Sequence, residues 1–399
     1  VTAPVPPLAR TPEEWVDALT ALGGRAFHAR QVFRWVQGRS VFDAGKMTDL
    51  PSALRDKLAP LAMEQTLTVA DERRSSDDTR KLLVRMRDGA TVETVLIPGV
   101  TGPRGRLPSP VASDDAYGAM SAMEEGDDDG GDEDEPREPA GAAPAIRVTQ
   151  CISTQVGCAQ GCVFCASGVA GLKRNLGADE IVAQVLTGRA RLDAGERLTN
   201  VVYMGMGEPL ANYEATARSL RLLTHPEGLA LSSRRVTIST SGLVPEIARL
   251  GQDFGGKVGL AISLHAADDD TRTRLMPINK KYPLAVLMDA LRAYPLPPRR
   301  RITIEYTLVA GKNDTPLEAR KLVKVLRGLP VKVNLIPMNP IEASSLAPPA
   351  MTGVLAFQKT LCDAGYSCFI RRRRGDDVAA ACGQLALLGA KPKVRVNRA

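Results

Sequence analysis

The amino-acid sequence predicts an α/β chain: a partial (β/α)6 barrel, preceded by a small helical accessory domain and interrupted by a disordered acidic insertion. Three observations carry this. After residue 146, strand-like runs alternate with helical ones, the rhythm of parallel β/α units. The strand runs number six, fewer than the eight of a closed barrel. Each ends in small or polar residues, at Gly205–Glu208, Ser239–Gly242, Ser263–His265 and Asn339. Active sites of such folds lie at the C-terminal ends of the strands, so these segments converge on one mouth.

The elements follow in order. "TPEEWVDALTALG" and "AFHARQVFRWVQ" have helical apolar spacing, with Thr11 as the N-cap of the first, and "MTDLPSALRDKLAPLA" adds a third short helix. Residues 1–65 thus form the helical domain. "QTLTVADER", "KLLVRMRD" and "ATVETVLIP" alternate as strands, making 66–99 a strand-rich connection. Residues 100–146 are rich in Gly, Pro, Ala and Asp and too poor in large apolar residues to offset chain entropy, which predicts disorder. The barrel and a C-terminal catalytic segment occupy 147–390, and 391–399 is a tail. Barrel strands are read at "RVTQCIST", "NVVYMGMG", "RVTISTSG", "KVGLAISLHA", "RITIEYTLVAG" and "VKVNLIPMNP". Helices are read at "ADEIVAQVLTGRARL", "NYEATARSLRLLT", "VPEIARLG", "LAVLMDALRAY" and "PLEARKLVKVLRG".

The 399 residues are 44% hydrophobic, enough for a barrel plus a satellite domain. No apolar run reaches the roughly 18–20 residues of a membrane span, and the N-terminal stretch lacks the pattern of a signal peptide. The expectation is a soluble, cytoplasmic protein, where clustered cysteines serve as metal ligands or catalysts more often than as disulfides. Net charge is +7, but "EEGDDDGGDEDEPRE" (124–138) alone contributes −9, leaving +16 on the remainder. That basic remainder suits a polyanion such as RNA, although excess Lys and Arg also make ordinary solvated surface.

Four of the seven cysteines lie in "CISTQVGCAQGCVFCAS", residues 151–167. Cys158, Cys162 and Cys165 follow a C-x3-C-x2-C spacing, with Cys151 upstream. Three cysteines alone cannot fill a four-coordinate zinc site, and structural zinc sites generally use two separated pairs. With Cys151 as a fourth ligand, zinc stays open. A [4Fe-4S] cluster on three cysteines keeps one iron free for an outside ligand, which suits a compact loop after the first barrel strand.

This loop resembles the signature of the radical S-adenosylmethionine enzymes, whose open iron holds the amino and carboxylate groups of that cofactor. "MGMGEPL" is similar to the strand motif that contacts the cofactor's aminoacyl end; by itself it would pass for a tight βα turn. "CISTQVGC", "ISTSG", "ISLHA", "PINKKYP", "NLIPMNP" and "RGDDVAAACGQL" narrow the resemblance to the RlmN-like adenosine methyltransferases of 23S ribosomal RNA and tRNA. The match spans residues 10–99 and 147–390.

The resemblance implies one [4Fe-4S] cluster per chain on Cys158, Cys162 and Cys165, and two molecules of S-adenosylmethionine consumed per turnover. It implies cofactor contacts at Gly207, Glu208, Ser239, Ser263, Leu264, His265 and Asn339. It makes Cys382 the thiol that becomes S-methylated, Cys151 the resolving thiol that forms a transient disulfide with it, and Glu93 the proton acceptor. Implied partners are 23S rRNA and tRNA, and an electron donor such as flavodoxin or ferredoxin; no membrane is involved and the protein is a monomer. The chemistry explains the extra thiols. Carbon 2 of adenine is electron-poor and will not attack an electrophilic methyl group, so a cysteine must take the methyl first and deliver it as a radical. Release then requires a base and a second thiol.

The related carbon-8 methyltransferases share these motifs and stay open as an alternative. A non-catalytic iron–sulfur or zinc protein that binds RNA would not need both Cys151 and Cys382, nor the strand-end cofactor motifs. Cys362 and Cys368 in "LCDAGYSCFI" read as core thiols, and His265 also reads as a strand-end histidine. The basic run Arg371–Arg374 offers phosphate contacts near Cys382, and Trp35 reads as core or as a stacking platform for RNA bases.

Overall fold

The computed structural model describes residues 5–61, 66–99, 145–342, 344–371 and 373–385. The expected insertion, apart from 145 and 146, and the expected tail at 391–399 lie outside the described residues.

Helix α1 (Pro12–Thr20) starts as its sequence dictates. Thr11 Oγ1 accepts from the Glu14 N–H at 3.4 Å, Glu14 Oε2 accepts from the Thr11 N–H at 2.9 Å, and Pro12 takes the first position. Trp15 and Leu19, fully buried, face Ala29, Val32 and Phe33 of α2 (Ala26–Phe33), and α3 (Ser52–Leu58) adds Leu54 and Leu58. Thr11→Ala is expected to cost about 1 kcal/mol, read as a lower urea midpoint with unchanged slope. Glu14 also accepts from Arg218 at 2.7 Å, which ties this helical unit to the helix layer of the main sheet.

Ten strands form one sheet in sequence order among the described residues. β1 (Leu67–Arg74), β2 (Arg80–Met86) and β3 (Thr91–Pro98) run antiparallel, and β3 pairs antiparallel with β4 (Ile146–Cys151). From β4 onward every pair is parallel: β5 (Glu196–Tyr203), β6 (Val236–Thr240), β7 (Gly259–Ser263), β8 (Ile302–Leu308), β9 (Val331–Pro337) and β10 (Ser367–Ile370). The parallel strands therefore number seven rather than six. Sequence reading passes over β10 and the helix before it (Met351–Asp363), because "SCFI" is too short to show a period.

Alternation along each strand builds the two faces. In β6, Val236, Ile238 and Thr240 are buried while Thr237 and Ser239 are not; β9 repeats the pattern. The apolar face packs under helices α4 (Ala178–Arg189), α5 (Tyr213–Leu223), α6 (Val244–Phe254), α7 (Leu284–Ala293), α8 (Pro316–Val325) and α9 (Met351–Asp363). Each fully buried Val or Ile there contributes about 1.5–3 kcal/mol. The polar face lines the inside of the curve, and there the site forms. Among the described residues, no helix is long and apolar enough to cross a membrane.

Candidate active site

The C-terminal ends of the strands surround a cavity that opens to solvent. Ten of the sequence-predicted residues line it: Cys158, Cys162, Cys165, Gly207, Glu208, Ser239, Ser263, His265, Asn339 and Cys382.

The cysteine loop leaves β4 through a two-residue ribbon, Gln155–Val156 against Arg174–Asn175. Burial pushes the Cys158 thiol up to about 12, and the same cause raises Cys162 and Cys165. Like-charge repulsion adds to it, since the Cys162 thiol feels both of the others. Backbone N–H groups of Gln160, Ser167 and Gly168 point at the sulfurs of Cys158 and Cys165 and favour their thiolates. Three thiols that repel one another as thiolates, Cys158 buried and Cys162 and Cys165 partly so, suit a bound cation. Three cysteines on one short loop fit a multi-iron cluster, with one cysteine per iron and one iron left for an outside ligand. Cys151 does not join them; its thiol couples to Cys382.

Glu208 is buried at the end of β5. Its Oε2 accepts from the Ser241 N–H at 2.7 Å and its Oε1 from the Leu210 N–H at 3.1 Å. Burial raises its pKa, and these bonds oppose the rise. Gly207 (φ 103°) lies so close to Gln155 that a Cβ would stand 2.6 Å from the Gln155 Cβ, so only glycine fits this approach. His265 Nδ1 accepts from the Thr307 N–H at 2.8 Å. Its burial, with Arg272 nearby, lowers its pKa to about 3, which leaves the ring neutral at physiological pH. Leu264 is fully buried and its side chain does not line the cavity.

Arg272, fully buried, holds two strand ends in place: it donates to Ser241 O at 2.7 Å, Leu264 O at 3.1 Å and Asn279 Oδ1 at 2.9 Å. Sequence reading missed Arg272, Gln155 and Glu305. No periodicity marks them, and only their orphaned or multiple hydrogen bonds reveal them.

The C-terminal segment folds over the cavity. Asn339 Nδ2 donates to Cys382 O at 2.9 Å, Ala166 N to Gly383 O at 2.8 Å, and Ser167 Oγ to Leu385 O at 2.6 Å. Cys382 is thereby laced to the cysteine loop and is exposed at the mouth. Cys151 ends β4 and is buried. Burial first, and Cys382 second, push its thiol up to about 12, against the pull of Arg371 and the Met204 N–H. Glu93 stands on the same sheet face, because Val95, two residues on, is the register partner of Cys151. Lys81 Nζ joins Glu93 Oε1 at 3.0 Å and donates to Ala379 O at 3.2 Å, three residues before Cys382. Glu93 is not in the cavity wall.

The remaining readings divide. Cys368 is buried as expected, but Cys362 is exposed. It falls just off the buried stripe Val354–Phe357–Leu361 of α9. Trp35 is half-buried, its indole donates to Asp49 at 2.6 Å, and Arg39 stacks on it at 4.1 Å. Within the basic run, Arg371 lines the cavity, while Arg373 and Arg374 reach the backbone oxygens of Met338 and Pro98. Asp377 bonds Ser75 and Ser76, docking this segment on the β1–β2 turn.

Two sequence profiles match the chain: the Radical SAM superfamily at residues 152–323, and the ribosomal RNA large subunit methyltransferase N-terminal domain at 11–63. A dual-specificity RNA methyltransferase RlmN from Sorangium cellulosum is 67% identical, over 99% of this chain and 98% of that protein. A protein of the same name from Syntrophobacter fumaroxidans is 43% identical over 94% of each. The crystal structure of a radical SAM methyltransferase from Sphaerobacter thermophilus superposes with a TM-score of 0.79 at 40% identity, covering 95% of this chain and 98% of that one. With its cavity, its cysteine loop and relatives matching nearly end to end, the chain belongs to the RlmN family of the radical S-adenosylmethionine superfamily.

Proposed function

We propose that this protein methylates carbon 2 of an adenosine in 23S rRNA and in tRNA, through an S-methylcysteine at Cys382 and a transient covalent protein–RNA adduct. The observation that carries the reading is the pairing of two further free thiols, Cys382 at the mouth and Cys151 beneath it, beside a three-thiol loop. A simple methyl transfer has no use for either.

Cys158, Cys162 and Cys165 would hold a [4Fe-4S] cluster. Gly207, Glu208, Ser239, Ser263, His265, Asn339 and the backbone of Leu264 would hold S-adenosylmethionine. The orphaned buried oxygen Asn339 Oδ1, in a residue of the cavity wall, fits a ligand that donates a hydrogen bond. When bound, these groups supply an electrophilic methyl and, after one-electron reduction by a flavodoxin or ferredoxin, a radical that abstracts hydrogen. The chain's own part is as follows. Cys382 accepts the methyl and carries it to the target base. Glu93, oriented by Lys81, accepts the proton lost from carbon 2. Cys151 attacks the Cys382 sulfur, which frees the methylated RNA and leaves a disulfide between the two thiols.

The names of the relatives support two RNA substrates. Mass spectrometry of rRNA and tRNA nucleosides from a deletion strain tests this. Expected is the loss of 2-methyladenosine from both pools. Loss of 8-methyladenosine instead would assign carbon 8, and retention of the mark in tRNA would restrict the substrate to rRNA.

A further inference from the structure

Glu305 sits in the middle of β8 and lines the cavity, yet it is only 4% exposed. Its register partners are Ser263 on β7 and Asn334 on β9, so three polar residues form a row across the inner face. Asn334 Nδ2 donates to Glu305 Oε1 at 3.0 Å, and Arg371 Nη1 stands 3.9 Å from the same oxygen. The other oxygen, Oε2, is buried with no hydrogen-bond partner. A buried carboxylate oxygen without a donor is costly enough that native structures rarely keep one unless a ligand completes it.

The position selects the ligand group. The cysteine loop and Glu208, which would take the aminoacyl end of the cofactor, stand at β4 and β5. Glu305 stands three strands beyond β5, so it faces the opposite end of a ligand stretched across the barrel. That end is a nucleoside, whose strongest neutral donors are the hydroxyls of its ribose. An O–H bond to a carboxylate is charge-assisted and about twice as strong as one to a neutral acceptor.

We propose that Glu305 anchors a ribose: its carboxylate accepts hydrogen bonds from the hydroxyls of the adenosyl group of S-adenosylmethionine and sets how far the cofactor reaches across the barrel. This rests on the methyltransferase reading above. A ribose of the RNA target could present the same chemistry. The cofactor is favoured because only a free nucleoside offers both hydroxyls, whereas within RNA the 3′ oxygen is esterified.

The test is a ligand–protein double cycle on the cluster-loaded holoenzyme under anaerobic conditions. Calorimetry would compare S-adenosylhomocysteine with its 2′-deoxy and 3′-deoxy analogues on wild type, Glu305→Gln and Glu305→Ala. Removing a hydroxyl is expected to weaken wild-type binding about tenfold to a hundredfold, and to weaken binding by the variants far less. Affinity for an RNA hairpin should not change in either variant. If wild type is indifferent to both deoxy analogues, the proposal fails however the variants fold. It also fails if a 2′-deoxy substitution at the RNA target is what loses its effect in the variants. If wild type binds no S-adenosylhomocysteine at all, the functional reading falls and this inference with it.

Discussion

Alanine at Cys158, Cys162 or Cys165 is expected to abolish iron and sulfide binding, whereas alanine at Cys151 is not. Wild-type protein reconstituted without oxygen should hold about four irons and four sulfides per chain. The contrast follows from placement. The three loop thiols lie in one cavity wall, and Cys162 feels both of the others, so each loss would leave one iron of the proposed cluster without its thiolate. Cys151 is buried at the end of β4, coupled to Cys382, and outside the cavity wall. Iron and sulfide analysis with visible absorbance gives the readout, and RNA methylation should fall to background in the three loop variants. Stoichiometric zinc without iron-dependent absorbance, or loss of metal in Cys151→Ala, would replace the cluster with a four-cysteine zinc site.

How much of this was legible in the sequence depends on whether a residue's signal is local. The Thr11 cap, the C-x3-C-x2-C loop and the polar strand ends all announce themselves within a few residues, and the structure places each where the pattern implies. The seventh parallel strand, β10, does not. Only Cys368 and Ile370 of its four residues are buried, too brief an alternation to establish a period. Nor can spacing reveal that Val95 pairs with Cys151, since register across a long insertion is set by sheet packing rather than by neighbouring residues. That pairing brings Glu93 to the Cys151 face. Arg272 and Glu305 were invisible for a further reason. By composition they belong on the surface, and only a tertiary environment of strand-end carbonyls or a cavity accounts for their burial.

The two thiols outside the loop should fail at different stages when removed. Cys382→Ala should load the cluster and bind S-adenosylmethionine, yet carry no methyl group and form no adduct with RNA. Cys151→Ala should still be methylated at Cys382, which is exposed at the mouth and independent of Cys151 for its position, since Asn339 and the cysteine loop hold its segment. That variant should still attack the base. Its Cys382 sulfur then has no thiol to leave toward, so protein should accumulate joined to RNA through a methylene bridge. In wild type the resolving thiol must ionise to attack, and burial holds Cys151 up at about 12. Only a small thiolate fraction exists at neutral pH, so resolution should quicken as pH rises, while the Cys151→Ala adduct should persist at every pH. A denaturing gel would show the adduct as an RNase-sensitive mobility shift, and mass spectrometry of the digested peptide would locate the modification at Cys382. Full turnover by Cys151→Ala with no trapped RNA would remove Cys151 from the mechanism. A trapped adduct on Cys382→Ala would mean that a different residue carries the methyl group.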